Sequence, residues 1–156
     1  MTKFRLLSFS FFLALFIALT GCSSESDSSL HVENNTKKIC PQCNMELPKS
    51  NLHTSKIDDD GEIHYFDDTG CMILWTKDND IDLKSVNAKI YANDTKKYIN
   101  AFEAFYKIDE RTPMLYGFSA YEIECEGCID FDEVIMRMLR GEHMANPKIR
   151  KQILGY

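Results

Sequence analysis

Cys40-Pro41-Gln42-Cys43-Asn44-Met45 is a C-x-x-C-x-M motif that puts two thiols and a thioether within six residues. On an extended chain, residues two apart share a side, so Cys43 and Met45 can meet on one ion. Soft sulfur ligands select soft metals, Cu(I) foremost, and methionine is rarely a zinc ligand. Plainer readings exist: Met45 as an apolar anchor beside Leu47, and Cys40 with Cys43 as a small disulfide in an oxidising compartment. A C-P-x-C turn also resembles one knuckle of a zinc ribbon. Cys125-Glu126-Gly127-Cys128 would then be the second knuckle of a structural zinc or iron site with four cysteine ligands, although the pairs lie far apart for that pattern. A third alternative is an exported thiol–disulfide oxidoreductase using Cys40 and Cys43. That chemistry wants its first cysteine at a helix N-terminus, and Pro48 leaves no room for a helix after Cys43.

Two further stretches carry sulfur. Tyr65-Phe66-Asp67-Asp68-Thr69-Gly70-Cys71-Met72-Ile73-Leu74-Trp75 sets a thiol and a thioether at a helix start. The helix dipole there is expected to lower the pKa of Cys71. Thr112-Pro113-Met114-Leu115-Tyr116-Gly117 puts another methionine in a rigid loop before a strand. Singly, methionines such as Met72 and Met114 are more often core residues than ligands. His53 and His64 fall on a predicted hairpin, where His64 is a candidate to complete a metal site from the neighbouring strand. Its plain reading is a partly exposed polar position. Met136 and Met138 are two apart on a helix and cannot face the same way. His143 has no nameable partner.

The elements that must position these residues begin after an address. Lys3 and Arg5 precede an apolar run from Leu6 to Thr20, which has the length of a signal h-region and is short for a spanning helix. Leu19-Thr20-Gly21-Cys22 has the form of a lipobox, so residues 1–21 read as a lipoprotein signal peptide and Cys22 as the lipidation site. Ser23, rather than Asp, resembles the outer-membrane sorting pattern. Residues 22–38 are Ser-rich and polar and read as a flexible tether. The expected location is lipid-anchored in the periplasm, at the outer membrane.

The 156-residue chain carries 18 Lys+Arg against 24 Asp+Glu, and losing Lys3 and Arg5 with the leader would take its net charge from −6 to −8. That acidic balance argues against nucleic acid as a partner, since phosphate binding needs basic patches. Leu52–Ile57 and Glu62–Phe66 flank an Asp-Gly hairpin signal, followed by a helix over Cys71–Lys77 and a strand over Ser85–Tyr91. Ile99–Ile108 and Leu115–Ile123 read as strands. Asp130 and Glu133 form a capping box for a helix over Phe131–Arg140, with Phe131, Ile135, Met138 and Leu139 on its apolar face, stopped by Gly141 ahead of Pro147 and a basic tail. The expected fold class is α+β, as two small ββαβ-like units, 39–94 and 95–156, packed as one compact domain after a lipidated tether.

C-x-x-C-x-M, then F-D-D-x-G-C-M-x-x-W, then T-P-M-x-x-G-F-x-A, in that order after a lipobox, resembles the NosL family of periplasmic copper-binding lipoproteins. The likeness covers essentially all of the chain after the leader. It implies paired ββαβ units, similar to an architecture shared with organomercurial lyase. It also implies a Cu(I) chaperone without catalytic turnover, serving the copper centres of nitrous oxide reductase in denitrification. Carried over residue by residue, Cys43 and Met45 become copper ligands, with Met114 as a third. Cys40, the outer cysteine, would assist or guard. Cys71 and Met72 match the family's helix start, where packing outweighs ligation. The implied partners are the membrane, through lipid on Cys22, and a copper-accepting protein or membrane transport complex of the reductase maturation system, with no small-molecule substrate. Cys125-x-x-Cys128 and the lack of a helix directly after Ala120–Glu124 depart from the family pattern.

Overall fold

Asp58-Asp59-Asp60-Gly61 turns one strand back on the next. In the computed structural model, which describes residues 38–156, β1 (Ser55–Asp59) pairs antiparallel with β2 (Glu62–Phe66) in a register that sets Ile57 opposite His64. Asp60 and Gly61 both have positive φ, and the Asp58 carboxylate accepts the Gly61 N–H at 2.9 Å, closing the turn. The expected leader 1–21, the lipidation site Cys22 and the tether up to residue 37 lie outside the described residues.

Helix α1 (Thr69–Asp78) follows β2 after two residues. Asp68 caps it by accepting the Gly70 N–H at 3.0 Å, and the Asn79 side chain donates back to the Trp75 carbonyl at 2.8 Å. β3 (Asn87–Tyr91) then pairs with the other edge of β1, completing strand, strand, helix, strand as the sequence pattern predicts. β4 (Tyr98–Asn100) extends this sheet to the order β2-β1-β3-β4.

The second half departs from its predicted elements. The single strand expected over Ile99–Ile108 is broken, because the Asn100 side chain accepts the Phe102 N–H at 2.9 Å and starts a 3-10 turn over Ala101–Glu103. The chain leaves the first sheet there and re-enters a second as β5 (Phe105–Lys107), paired with β6 (Ser119–Tyr121). β6 is shorter than the predicted Leu115–Ile123: Leu115 has a left-handed φ of 60°, and the Thr112 hydroxyl accepts the Gly117 N–H, so 112–117 is a closed loop. A parallel bridge between Ala92 and Ala120 links the two sheets. The described residues thus have an α+β fold belonging to a single compact unit, but the chain after β4 contributes a two-stranded sheet and two terminal helices rather than a second strand-closed ββαβ.

Helix α2 (Phe131–Arg140) starts where Asp130 accepts the Glu133 N–H at 2.8 Å and ends at Gly141, whose φ is 73°. Only half of the capping box forms, since the Glu133 carboxylate accepts Arg137 Nε at 2.6 Å instead. Its buried face is Phe131, Val134 and Met138, with Ile135 partly buried and Leu139 exposed. The apolar stripe is thus rotated from the predicted one, following i, i+3, i+7 spacing. The basic tail is itself a helix, α3 (Pro147–Leu154), capped by Asn146, with Pro147 in the first turn and Gly155 as its left-handed stop. Between helices and sheets lie Ile57, Phe66, Met72, Ile73, Ile90, Tyr106, Phe118, Phe131 and Val134. Tyr106 stacks on Phe131 at 5.4 Å and donates its hydroxyl to the Ala101 carbonyl at 2.8 Å.

Candidate metal centre

The C-x-x-C-x-M segment folds as a small knuckle. The Cys40 N–H donates to the Met45 carbonyl and the Asn44 N–H to the Cys40 carbonyl, each at 2.9 Å, while Ile39 bridges Glu46. Asn44 takes a φ of 60°, a conformation that asparagine tolerates better than most residues. Lys38 covers the Tyr65 ring at 3.7 Å, and Gln42 donates to Asp78 at 3.3 Å, so the knuckle is tied to β2 and to the far end of α1.

Against this knuckle, the turn from β2 into α1 presents Asp67 and Cys71. The potential ligand atoms of Cys40, Cys43, Asp67 and Cys71 all lie within 4.8 Å of one another. Cys40, Asp67 and Cys71 are buried and Cys43 is half-buried, so the cluster reaches solvent through Cys43. Cys43 Sγ donates to Asp67 Oδ1 at 3.2 Å. The other carboxylate oxygen, Oδ2, is buried and makes no hydrogen bond among the described residues. An unsatisfied buried carboxylate oxygen beside three thiols is costly as it stands. A cation would satisfy it. Three sulfurs and one oxygen at this separation form a site that can hold a metal ion.

The thiols are not equivalent. Hydrogen bonding with the neighbouring Cys71 thiol above all holds Cys40 low, at about 7. Burial works against it, while the N–H groups of Asp67 and Cys43 point the same way as Cys71. Cys71 is pushed far up, first by giving its hydrogen bond to Cys40 and then by burial. The lowering expected of Cys71 from the helix dipole is therefore overturned: its hydrogen bond with Cys40 and its burial push it up instead. Burial pushes Cys43 up to about 12, partly offset by the Met45 N–H. Metal binding at this cluster must displace protons from Cys43 and Cys71.

The expected site residues occupy different surroundings. Cys40 and Cys43 are in the cluster, whereas Cys71, expected to pack, stands among the possible ligands. Met45 is 42% exposed beside Cys43 and touches the cluster through its backbone N–H and carbonyl. Met114 is partly buried against the core, and its N–H donates to Asp68 Oδ2 at 3.0 Å. Met72 is fully buried in the core. His64 is not part of the cluster: its ring lies tilted against Trp75 with centroids 4.5 Å apart, and its Nε2 is 3.7 Å from Glu62. Cys125 and Cys128 are joined to each other in a disulfide and contribute nothing to the cluster, so the site of Cys40, Cys43, Cys125 and Cys128 does not form. Asp67 was legible only as a letter in F-D-D-x-G-C. Its role needs the knuckle brought against it.

Behind the cluster, Asp68 is pushed up to about 6, chiefly by burial, although Thr112 and the N–H groups of Gly70 and Met114 bond to it. Gly70 lies under the Tyr116 ring so closely that a Cβ would strike it. The 112–117 loop is thereby held over the start of α1 by polar contacts from Thr112 and Met114 to Asp68 and by the steric contact of Tyr116 with Gly70. No helix among the described residues is long and apolar enough to cross a membrane. No protein-family model, curated protein or solved structure matches this chain.

Proposed function

We propose that this chain is a Cu(I)-binding metallochaperone, without catalytic turnover, held outside the cytoplasm by lipid on Cys22. The observation that carries the reading is the convergence of Cys40, Cys43 and Cys71 with Asp67. Three sulfurs suit the low coordination number and softness of Cu(I). Half-exposed Cys43 and exposed Met45 stand at the mouth, where an acceptor's sulfur can add before one of this chain's ligands leaves. Release by ligand exchange needs such an open edge, which a closed structural cage lacks. The motif order resembling the NosL family supports the same reading and supplies the client: the copper centres of nitrous oxide reductase, directly or through a membrane transport complex.

Asp67 favours a second reading, a Zn(II) site of three thiolates and one carboxylate, since its buried Oδ2 offers a hard ligand. Anaerobic titration of the reduced protein against a competing chelator separates the two. A copper carrier binds one tight equivalent of Cu(I), lost in Cys43→Ser and Cys71→Ser and weakened in Met45→Ala. Tight Zn(II) binding against a zinc chelator, with no tight Cu(I) equivalent against a Cu(I) chelator, would sink the copper reading.

A further inference from the structure

The Cys125–Cys128 disulfide belongs to none of the chemistry above. It sits between β6 and α2, with Cys125 and Cys128 half-buried and Glu124, Glu126 and Gly127 exposed. Neither sulfur joins the packed core, although Cys40, Cys43 and Cys71 all do. Gly127, at φ 74°, has nothing within 4 Å of where a Cβ would stand, so the turn faces open solvent.

Two observations say that this bond is not needed to hold the loop. First, it joins residues separated by 3 in sequence, and the entropy a crosslink removes from the unfolded chain grows with the loop it closes. Second, both ends of the loop are pinned without it. On the β6 side, the Asp94 carboxylate accepts the N–H groups of Glu122 and Ile123 at 2.9–3.1 Å. On the α2 side, Tyr106 and Ile129 exchange backbone hydrogen bonds at 2.8 and 2.9 Å, and Asp130 begins the helix one residue later. Even within the turn, the Cys128 N–H donates to the Cys125 carbonyl at 3.1 Å.

We propose that Cys125–Cys128 is a thiol–disulfide exchange site, separate from the metal cluster, that accepts electrons from a dithiol reductant. A thiolate of the reductant attacks one sulfur, breaking the S–S bond and forming a mixed disulfide. The reductant's second thiol displaces the remaining sulfur. Cys125 and Cys128 gain two electrons and two protons as thiols, and the reductant leaves as a disulfide. Glu124 and Glu126 beside the pair repel an anionic attacker, so the site favours a dithiol whose surroundings are neutral or basic. This inference does not rest on the copper reading.

The test is graded reduction of the full chain by dithiothreitol at pH 7, followed by acid quench, alkylation and peptide mapping, with the melting temperature recorded in parallel. The expected result is joint alkylation of Cys125 and Cys128 in the folded protein, reversed by oxidised dithiothreitol, with Tm falling by less than about 5 °C. After Glu124→Gln with Glu126→Gln, glutathione, whose thiolate carries further negative charge, should gain about threefold in rate and dithiothreitol, attacking as a singly charged thiolate, less. The double variant Cys125→Ser, Cys128→Ser should fold and bind metal as the parent does. Reduction only in denaturant, reduction that melts the domain, or failure of the double variant to fold would each make the bond a structural staple and overturn the proposal.

Discussion

Cys43 Sγ donates to Asp67 Oδ1 across 3.2 Å, joining a knuckle at the entrance of the fold to the residue two before helix α1. Twenty-four positions separate the two residues. Their contact turns a pair of cysteines into a four-atom cluster, because the same turn that delivers Asp67 delivers Cys71.

Asp67→Asn keeps an oxygen to accept from Cys43 and removes the negative charge. Zn(II) affinity is expected to fall by about 10–100-fold, as when a carboxylate supporting a metal site is lost. Cu(I), indifferent to a hard ligand, should change by less than about threefold. Competition titrations of the two metals on one variant measure the difference. Equal losses would mean that Asp67 acts on the thiols rather than on the ion.

Cys71→Ala removes both a candidate ligand and the donor that holds Cys40 low. Soft-metal affinity is expected to drop at least about 100-fold, the upper end of what supporting residues alone cost. The Cys40 thiol should also titrate higher, toward its ordinary value of 9.0. Iodoacetamide reactivity against pH, followed at Cys40 by peptide mapping, reads this without metal. An unchanged profile would remove Cys71 as its partner.

Gly70→Ala drives a methyl group into the Tyr116 ring. The expected cost is about 1–3 kcal/mol of stability from overpacking. Tyr116→Ala opens the space, so the double variant should recover about 1 kcal/mol relative to the sum of the single changes. Urea unfolding of all four proteins supplies the cycle, and strict additivity would show that the ring moves aside freely.

Asn44→Val places a β-branched residue at φ 60° in the knuckle. A cost of about 1–3 kcal/mol is expected, with weaker metal binding, whereas Asn44→Gly should be tolerated. Chemical denaturation and one chelator competition suffice to compare them.

His53 is buried, and burial lowers its pKa from 6.5, with Glu110 opposing and Lys96 reinforcing. The unfolded chain therefore takes up its proton more readily. The stability contributed by neutral His53 is present above about 6.5, the ordinary histidine value, and is lost as pH falls below it. Asp68, held up to about 6, runs the other way between 3.8 and 6. His53→Asn suits the left-handed φ of 65° and removes the titration. The urea midpoint of this variant should exceed the parent's by more at pH 5 than at pH 8. Parallel pH profiles would exclude His53.

Local elements were legible wherever a short-range rule decided them. The Asp60-Gly61 turn, the strand at Glu62–Phe66, the Asp130 cap and the Gly141 stop follow from neighbours within four residues. Ile99–Ile108 was not legible as two strands, because one Asn100 side chain turning onto the Phe102 N–H breaks it. The helix over Pro147–Leu154 hid behind its charge, although Asn146, Pro147 and Gly155 are ordinary start and stop signals. The apolar stripe of α2 rotated because Val134, not Leu139, meets the core.

The sequence alone determined which thiols were available: Cys40 and Cys43 three apart must lie within reach of one ion in almost any tight turn. It also determined that a capped helix would begin beside Cys71. Which other atoms complete the site was decided by tertiary structure, since Asp67 and Cys71 reach the knuckle only through packing of β2 and α1 against it. The same packing reversed the electrostatics of Cys71. The helix start alone favours a lowered Cys71, whereas its hydrogen bond with Cys40 and its burial raise it, and the same hydrogen bond lowers Cys40.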